Sequence, residues 1–251
     1  MSDFWEPLRA GTPARVGLPR SGDALRTTDL LALGAAHALA RDAVHRPLDV
    51  DALVAGLAGL GLGAPRVLRS AAPDRATYLT RPDLGRTPAE PLPAASDADG
   101  APACDLAVLV ADGLSAEAVE RHAVPLLEAL LPLLPHLDVA APWVGLQARV
   151  ALGDHVGAHL GAALVPVLVG ERPGLSSTDS LGAYLTWAPR PGVLDSARNC
   201  VSNVRPPHGL DHATAARTLA ALAEGAHRLG ATGVRLKAPS LVEPPLVEER
   251  G

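Results

Sequence analysis

The chain is poor in aromatic side chains, in lysine and in cysteine, and each shortage removes a class of function. Phe, Trp and Tyr together make up 2% of the 251 residues, too few for the stacking platforms that hold single-stranded nucleic acids. Lys237 is the only lysine and the other basic residues are arginines, while a formal charge of -5 and a pI near 6.0 give no basic field for a polyanion. Two cysteines, Cys104 and Cys200, make neither a disulfide scaffold nor a metal cage by themselves, and they point to a reducing compartment. The start, MSDFWEPLR, has acids where a signal peptide has bases and lacks an apolar h-region. Uncharged runs such as VGAHLGAALVPVLVG contain His or Pro and fall short of the roughly 18 residues that suggest a membrane span. The expectation is a soluble, cytoplasmic protein that binds neither nucleic acid nor membrane.

What the chain does have is apolar surface to bury. With 48% hydrophobic residues, its length suits one large domain or a domain with a smaller attachment. Residues 1–26, rich in Gly, Pro and Arg, read as an extended arm. Residues 27–86 read as a small, mainly helical region: TTDLLALGAAHALARDAVH starts on Thr-Thr-Asp and places Leu30, Leu31, Leu33, Ala38 and Leu39 on an apolar face. A second helix starts at the Asp49 cap and runs through DALVAGLAGL, and PRVLRS and RATYLTRPDLGR look like short extended pieces. The Pro/Ala-rich stretch 87–103 is a linker by composition, and the chain divides there.

Residues 104–251 alternate strands and helices. CDLAVLVADGLS is an apolar run whose Ser115 caps the helix SAEAVERHAVPLLEALLPLL; VAAPWVGLQA, GDHVGAHLGA, ALVPVLVG and LGAYLTW follow. DHATAARTLAALAEGAHRLG is a helix closed by Gly230. Solid apolar strands separated by helices indicate an α/β fold, a Rossmann-like, mostly parallel sheet with flanking helices, preceded by the smaller helical region. Two polar breaks, Asp112-Gly113 and Gly170-Glu171-Arg172, directly follow apolar strands. In an open parallel sheet that position borders the ligand crevice, although Asp112 and Glu171 serve equally as turn and helix-start stabilisers.

Most catalytic signatures are missing. DGLSAEA after the first strand of this region is not a Gly-x-Gly-x-x-Gly turn, no Walker loop occurs, and neither GLSST nor DGLSA forms a nucleophile elbow. His155 and His159, like His208 and His212, are spaced by four, but HExxH is absent and the nine histidines read as surface or capping residues. Cys200 in RNCVSN reads by default as a small buried hydrophobe. No catalytic residue and no metal ligand is assigned.

The segments YLTRPDLGR, LAVLVADGLS, ARVALGDHVGAHLGA, VGERPGLSSTDSLGAYLTWAPRPG and RNCVSNVRP, in this order, resemble the small subunit of ethanolamine ammonia-lyase. TPARVGLPRSG and ARDAVHRPLD extend the resemblance over nearly the whole chain. It implies an adenosylcobalamin-dependent enzyme that converts ethanolamine to acetaldehyde and ammonia by a radical route. A barrel-shaped large subunit would carry most of the substrate site, and multiple copies of each subunit would assemble. The small subunit, inactive alone, would hold the cobalamin at the interface, with contacts from Val150 in RVALGD, Glu171 in GERPG and Cys200 in RNCVSN. GDHVGAH does not match Asp-x-His-x-x-Gly, so the cobalamin is expected to keep its own base on cobalt. The chain begins close to its arm, against packaging in a bacterial microcompartment, and the 87–103 linker stands where a relative has a helix. Two other readings are a free-standing Rossmann-like enzyme using a nucleotide, and a scaffold subunit that binds a partner and no cofactor.

Overall fold

Apolar runs that alternate between two faces become strands buried on both sides. The computed structural model describes residues 4–92 and 103–237. Of the 87–103 linker, residues 93–102 lie outside the described residues. The arm carries α1 (Glu6–Ala10) and the small hairpin β1 (Arg20–Ser21) and β2 (Ala24–Leu25). Then come α2 (Thr27–His45), α3 (Val50–Ala58), β3 (Arg66–Arg69) and α4 (Arg75–Thr80). The second part holds β4 (Cys104–Leu106), β5 (Leu109–Ala111), α5 (Ala116–Leu130), β6 (Trp143–Leu146), α6 (Leu152–Leu160) and β7 (Ala162–Gly170). It ends with β8 (Leu181–Trp187), β9 (Arg198–Val204) and α7 (His212–Leu229).

The other seven strands form one sheet in the order β3-β6-β5-β7-β8-β9, with β4 also paired to β7. Leu106 lies opposite Leu164 and Leu109 opposite Val167, so β4 and β5 continue one register. Residues of this run alternate strictly: Leu106, Val108 and Val110 face the core under α3, α5 and α7, and Ala107, Leu109 and Ala111 face the core under α6. Ser115 Oγ accepts from Ala118 N at 3.1 Å to start α5, Asp49 starts α3 in the same way, and Gly230 at φ 64° closes α7.

The sheet is mostly parallel, as expected, and becomes mixed at one side, where β8 runs antiparallel to both β7 and β9. Residues 171–180 and 188–197 are too short to return a parallel strand, which takes a crossover of a dozen residues or more. RATYLTRPDLGR is not extended; Asp74 Oδ1 accepts from Thr77 N at 2.8 Å and starts α4, with a 3-10 turn at Leu84–Arg86. The leucines of α2 face outward: Leu30, Leu31 and Leu39 are 57%, 68% and 64% exposed, whereas Ala36 and Ala43 are buried. Spacing identified the helix, but its buried residues are the small Ala36 and Ala43 and not the leucine face. Among the described residues no helix is long and apolar enough to cross a membrane.

Candidate functional site

Parallel strands bring their C-terminal ends to one edge of the sheet, so β5, β6 and β7 release Asp112, Gln147 and Glu171 side by side. The chain there is tightly joined. Gly113 has φ 56°, and a Cβ on it would stand 2.3 Å from the Gly170 carbonyl oxygen; a Cβ on Gly170 would stand 2.1 Å from that of Ser115. Only hydrogen fits at either position. Leu114 N donates to the Gly170 carbonyl at 2.8 Å, locking the ends of β5 and β7 together.

Asp112 is buried and turns inward. Its two oxygens accept from Gln147 N at 2.8 Å and Ala148 N at 2.9 Å, with Arg75 Nη1 3.8 Å away. Burial pushes its carboxyl above the ordinary range, against the pull of both amides and of Arg75. The bonds hold Gln147 at φ 52°, a region few side chains enter, and so deliver Arg149 and Val150 beyond the turn. These are the bonds that the turn-stabilising reading of Asp112 calls for, and Asp112 also lines a neighbouring cavity with Arg46 and Arg75.

Glu171 behaves differently. Its amide donates to the Ser180 carbonyl at 2.9 Å, and its Oε2 accepts from Ser180 Oγ and, at 3.3 Å, from Asn203 N. Among the described residues Oε1 has no hydrogen-bond partner. Arg172 is exposed and makes no ion pair with Glu171. Val150, Glu171 and Arg172 line a cavity of about 300 Å³ together with Tyr78, Arg149 and Tyr184.

Tyr184 links that cavity to Cys200. The two lie directly opposite each other on β8 and β9. Burial around the Tyr184 hydroxyl and the Cys200 sulfur raises both groups, so both stay protonated at neutral pH. As a residue Cys200 is exposed, which corrects the reading of it as a buried hydrophobe. Val150 and Glu171 therefore share one cavity, and Cys200 stands behind its Tyr184 wall.

Sequence reasoning passed over Tyr78, Arg149 and Tyr184. Scarcity was the available signal, since the chain has only two tyrosines and both line this cavity. The Tyr78 hydroxyl donates to the Ala148 carbonyl at 3.1 Å, and burial, with Asp112 nearby, pushes it up to about 12. The guanidinium carbons of Arg75 and Arg149 lie 4.9 and 4.6 Å from its ring centre.

Neither histidine pair lines this cavity. His155 and His159 share α6, where His159 meets the Trp143 ring edge-on; His208 sits in a turn, and His212 Nε2 approaches His122 Nδ1 at 3.1 Å. Among the described residues no three His, Cys, Asp or Glu side chains are placed to hold a metal ion.

The chain is similar over most of its length to proteins named as ethanolamine ammonia-lyase small subunits. The protein of that name from Rhodococcus erythropolis is 49% identical over 236 residues, covering 94% of this chain and 90% of its own. That from Azotobacter vinelandii is 52% identical over 239 residues, covering 93% and 87%. That from Ralstonia nicotianae is 49% identical over 249 residues, covering 97% and 91%. Residues 2–237 match the family described as ethanolamine ammonia-lyase light chain (EutC), and the chain belongs to that family.

Proposed function

We propose that this chain is the small subunit of an ethanolamine ammonia-lyase, working with a large subunit on ethanolamine, and that its sheet-edge cavity seats one side of adenosylcobalamin. One observation carries the reading. Val150 and Glu171, from different elements, converge on a single cavity, and Cys200 stands opposite its Tyr184 wall on the neighbouring strand. The sheet that carries them is read as Rossmann-like, with the antiparallel pair β8 and β9 added at one side.

The residues suit the group. A corrinoid presents amide side chains and a nucleotide tail, which call for a few aimed polar groups on an otherwise apolar wall. Here Glu171 keeps an unused oxygen and Arg149 a buried Nε without a partner, beside the carbon surfaces of Leu114, Val150 and Val169. At about 300 Å³ the cavity takes only an edge of so large a molecule, and a partner subunit covers the rest. Bound adenosylcobalamin supplies the radical chemistry. This chain's residues supply position: Glu171 accepts from amide N–H or ribose O–H groups, and Val150 gives apolar contact. Burial holds Tyr78, Tyr184 and Cys200 protonated at neutral pH.

Glu171→Gln in the two-subunit complex tests this. Loss of the charge-assisted bond is expected to raise the dissociation constant for adenosylcobalamin roughly ten- to a hundredfold, with little change in KM for ethanolamine at saturating cofactor. Unaltered cofactor affinity with a lowered melting temperature would retire the binding role and leave Glu171 as a tie to Ser180 and Asn203.

A further inference from the structure

Arg149 is firmly held yet only partly satisfied. Its Nη2 donates to the Tyr78 carbonyl at 3.2 Å and its guanidinium lies against the Tyr78 ring. The stem is fixed as well: Arg149 N donates to the Gly85 carbonyl at 2.9 Å, and a Cβ on Gly85 would come within 2.8 Å of Arg149 Cγ. Nε is buried without a hydrogen-bond partner, and none of the described residues accepts from Nη1. An unpaired buried N–H is costly, and the residue that carries this one lines the cavity.

The charge of the cavity lining points the same way. Arg149 and Arg172 oppose one carboxylate, Glu171, one of whose oxygens is already bound by Ser180 and Asn203. A guanidinium offers a planar fork of donors that fits the oxygens of a phosphate better than a neutral amide. We infer that Arg149 is an anion-binding residue of the cavity and takes a phosphodiester oxygen, the one anionic group of a cobalamin. The inference rests on the reading that the cavity holds that cofactor.

The test is corrinoid binding to the two-subunit complex, followed by absorbance after ultrafiltration. Cyanocobalamin carries the phosphodiester, and dicyanocobinamide lacks it along with the ribose and base. Arg149→Gln is expected to raise the dissociation constant for cyanocobalamin roughly ten- to a hundredfold and to change that for cobinamide by less than about twofold. The phosphorus NMR resonance of bound cyanocobalamin should also move toward its free position, a readout that does not need cobinamide to bind. If the Gln variant does not fold, Arg149→Lys keeps the stem and charge but loses the fork, and should show a smaller loss of the same selectivity with a displaced resonance. Equal weakening for both corrinoids, or an unmoved phosphorus resonance in a variant that still binds, overturns the inference. Failure is separable from that of the cavity itself: a wild-type complex that binds neither corrinoid, or Glu171→Gln with unaltered affinity, counts against the cavity. A normal Glu171 effect with no selectivity at Arg149 sinks the anion role alone.

Discussion

Asp154 and Arg198 form a two-pronged ion pair at 2.7 and 2.8 Å with side chains 1% and 2% exposed, and Arg198 further donates to Thr186 Oγ1 and the Val193 carbonyl. The pair ties α6 to β9, the strand that carries Cys200. Removing Asp154 leaves the buried Arg198 with only the exposed Asp195, at 3.4 Å, as a counter-charge among the described residues. Asp154→Ala is therefore expected to cost about 3–5 kcal/mol, read as a lower urea midpoint at unchanged slope. A loss below about 1 kcal/mol would show that water reaches Arg198 after all. Nothing in the sequence announced this pair: the residues lie far apart, and in GDHVGAH the histidines draw attention from the aspartate between them. Glu171 was legible because a carboxylate right after an apolar strand is conspicuous. Tyr184 was not, since inside LGAYLTW it looks like any strand aromatic.

At the scale of elements, capped helices were the legible part. Ser115, Asp49 and Asp211 each sit before a helical pattern, and each accepts from the amide three residues on. The reverse error at α4 has the same physics: Asp74 is a cap as good as the others, but six helical residues are too few to display a period. Strand direction was hidden because it depends on loop length and long-range pairing rather than on local pattern. Ser115 does more than cap, since its Oγ also donates to the Thr178 carbonyl at 2.6 Å in the loop between Glu171 and β8. Ser115→Ala should thus cost about 1–2 kcal/mol, the upper part of the range for caps, with increased hydrogen exchange at residues 176–180. A melting shift without any change in that loop's exchange would confine Ser115 to the cap. The loop is fastened from the other side by the arm, where Arg15 Nη1 donates to the Leu175 carbonyl at 3.3 Å and Ser176 Oγ to that of Pro13 at 3.1 Å.

For the whole molecule, two imidazoles contribute a dependence on pH, against which the buried carboxyls of Asp112 and Asp154, raised by burial, act in the opposite sense. Burial lowers His122 and His155 below the ordinary 6.5, and for His122 the nearby His212 and Arg121 add to it while Asp179 opposes. Below that value the unfolded chain takes up protons that the folded chain refuses, so stability is full above about pH 6.5 and declines as pH falls toward the folded values. The melting temperature should drop between about pH 7.5 and 5.5, and His122→Leu with His155→Leu should flatten the slope; an unchanged slope would place the titration elsewhere. One feature at the sheet edge also bears on how such a protein diverges. Because Gly113 and Gly170 touch backbone to backbone, even a methyl group at either would pry β5 from β7 and reopen the floor beneath the cavity. Variation at the cavity is consequently channelled into the side chains that rim it. The main chain below behaves as a fixed jig, so new specificities would arise there by exchanging residues rather than by reshaping the loops at those two glycines.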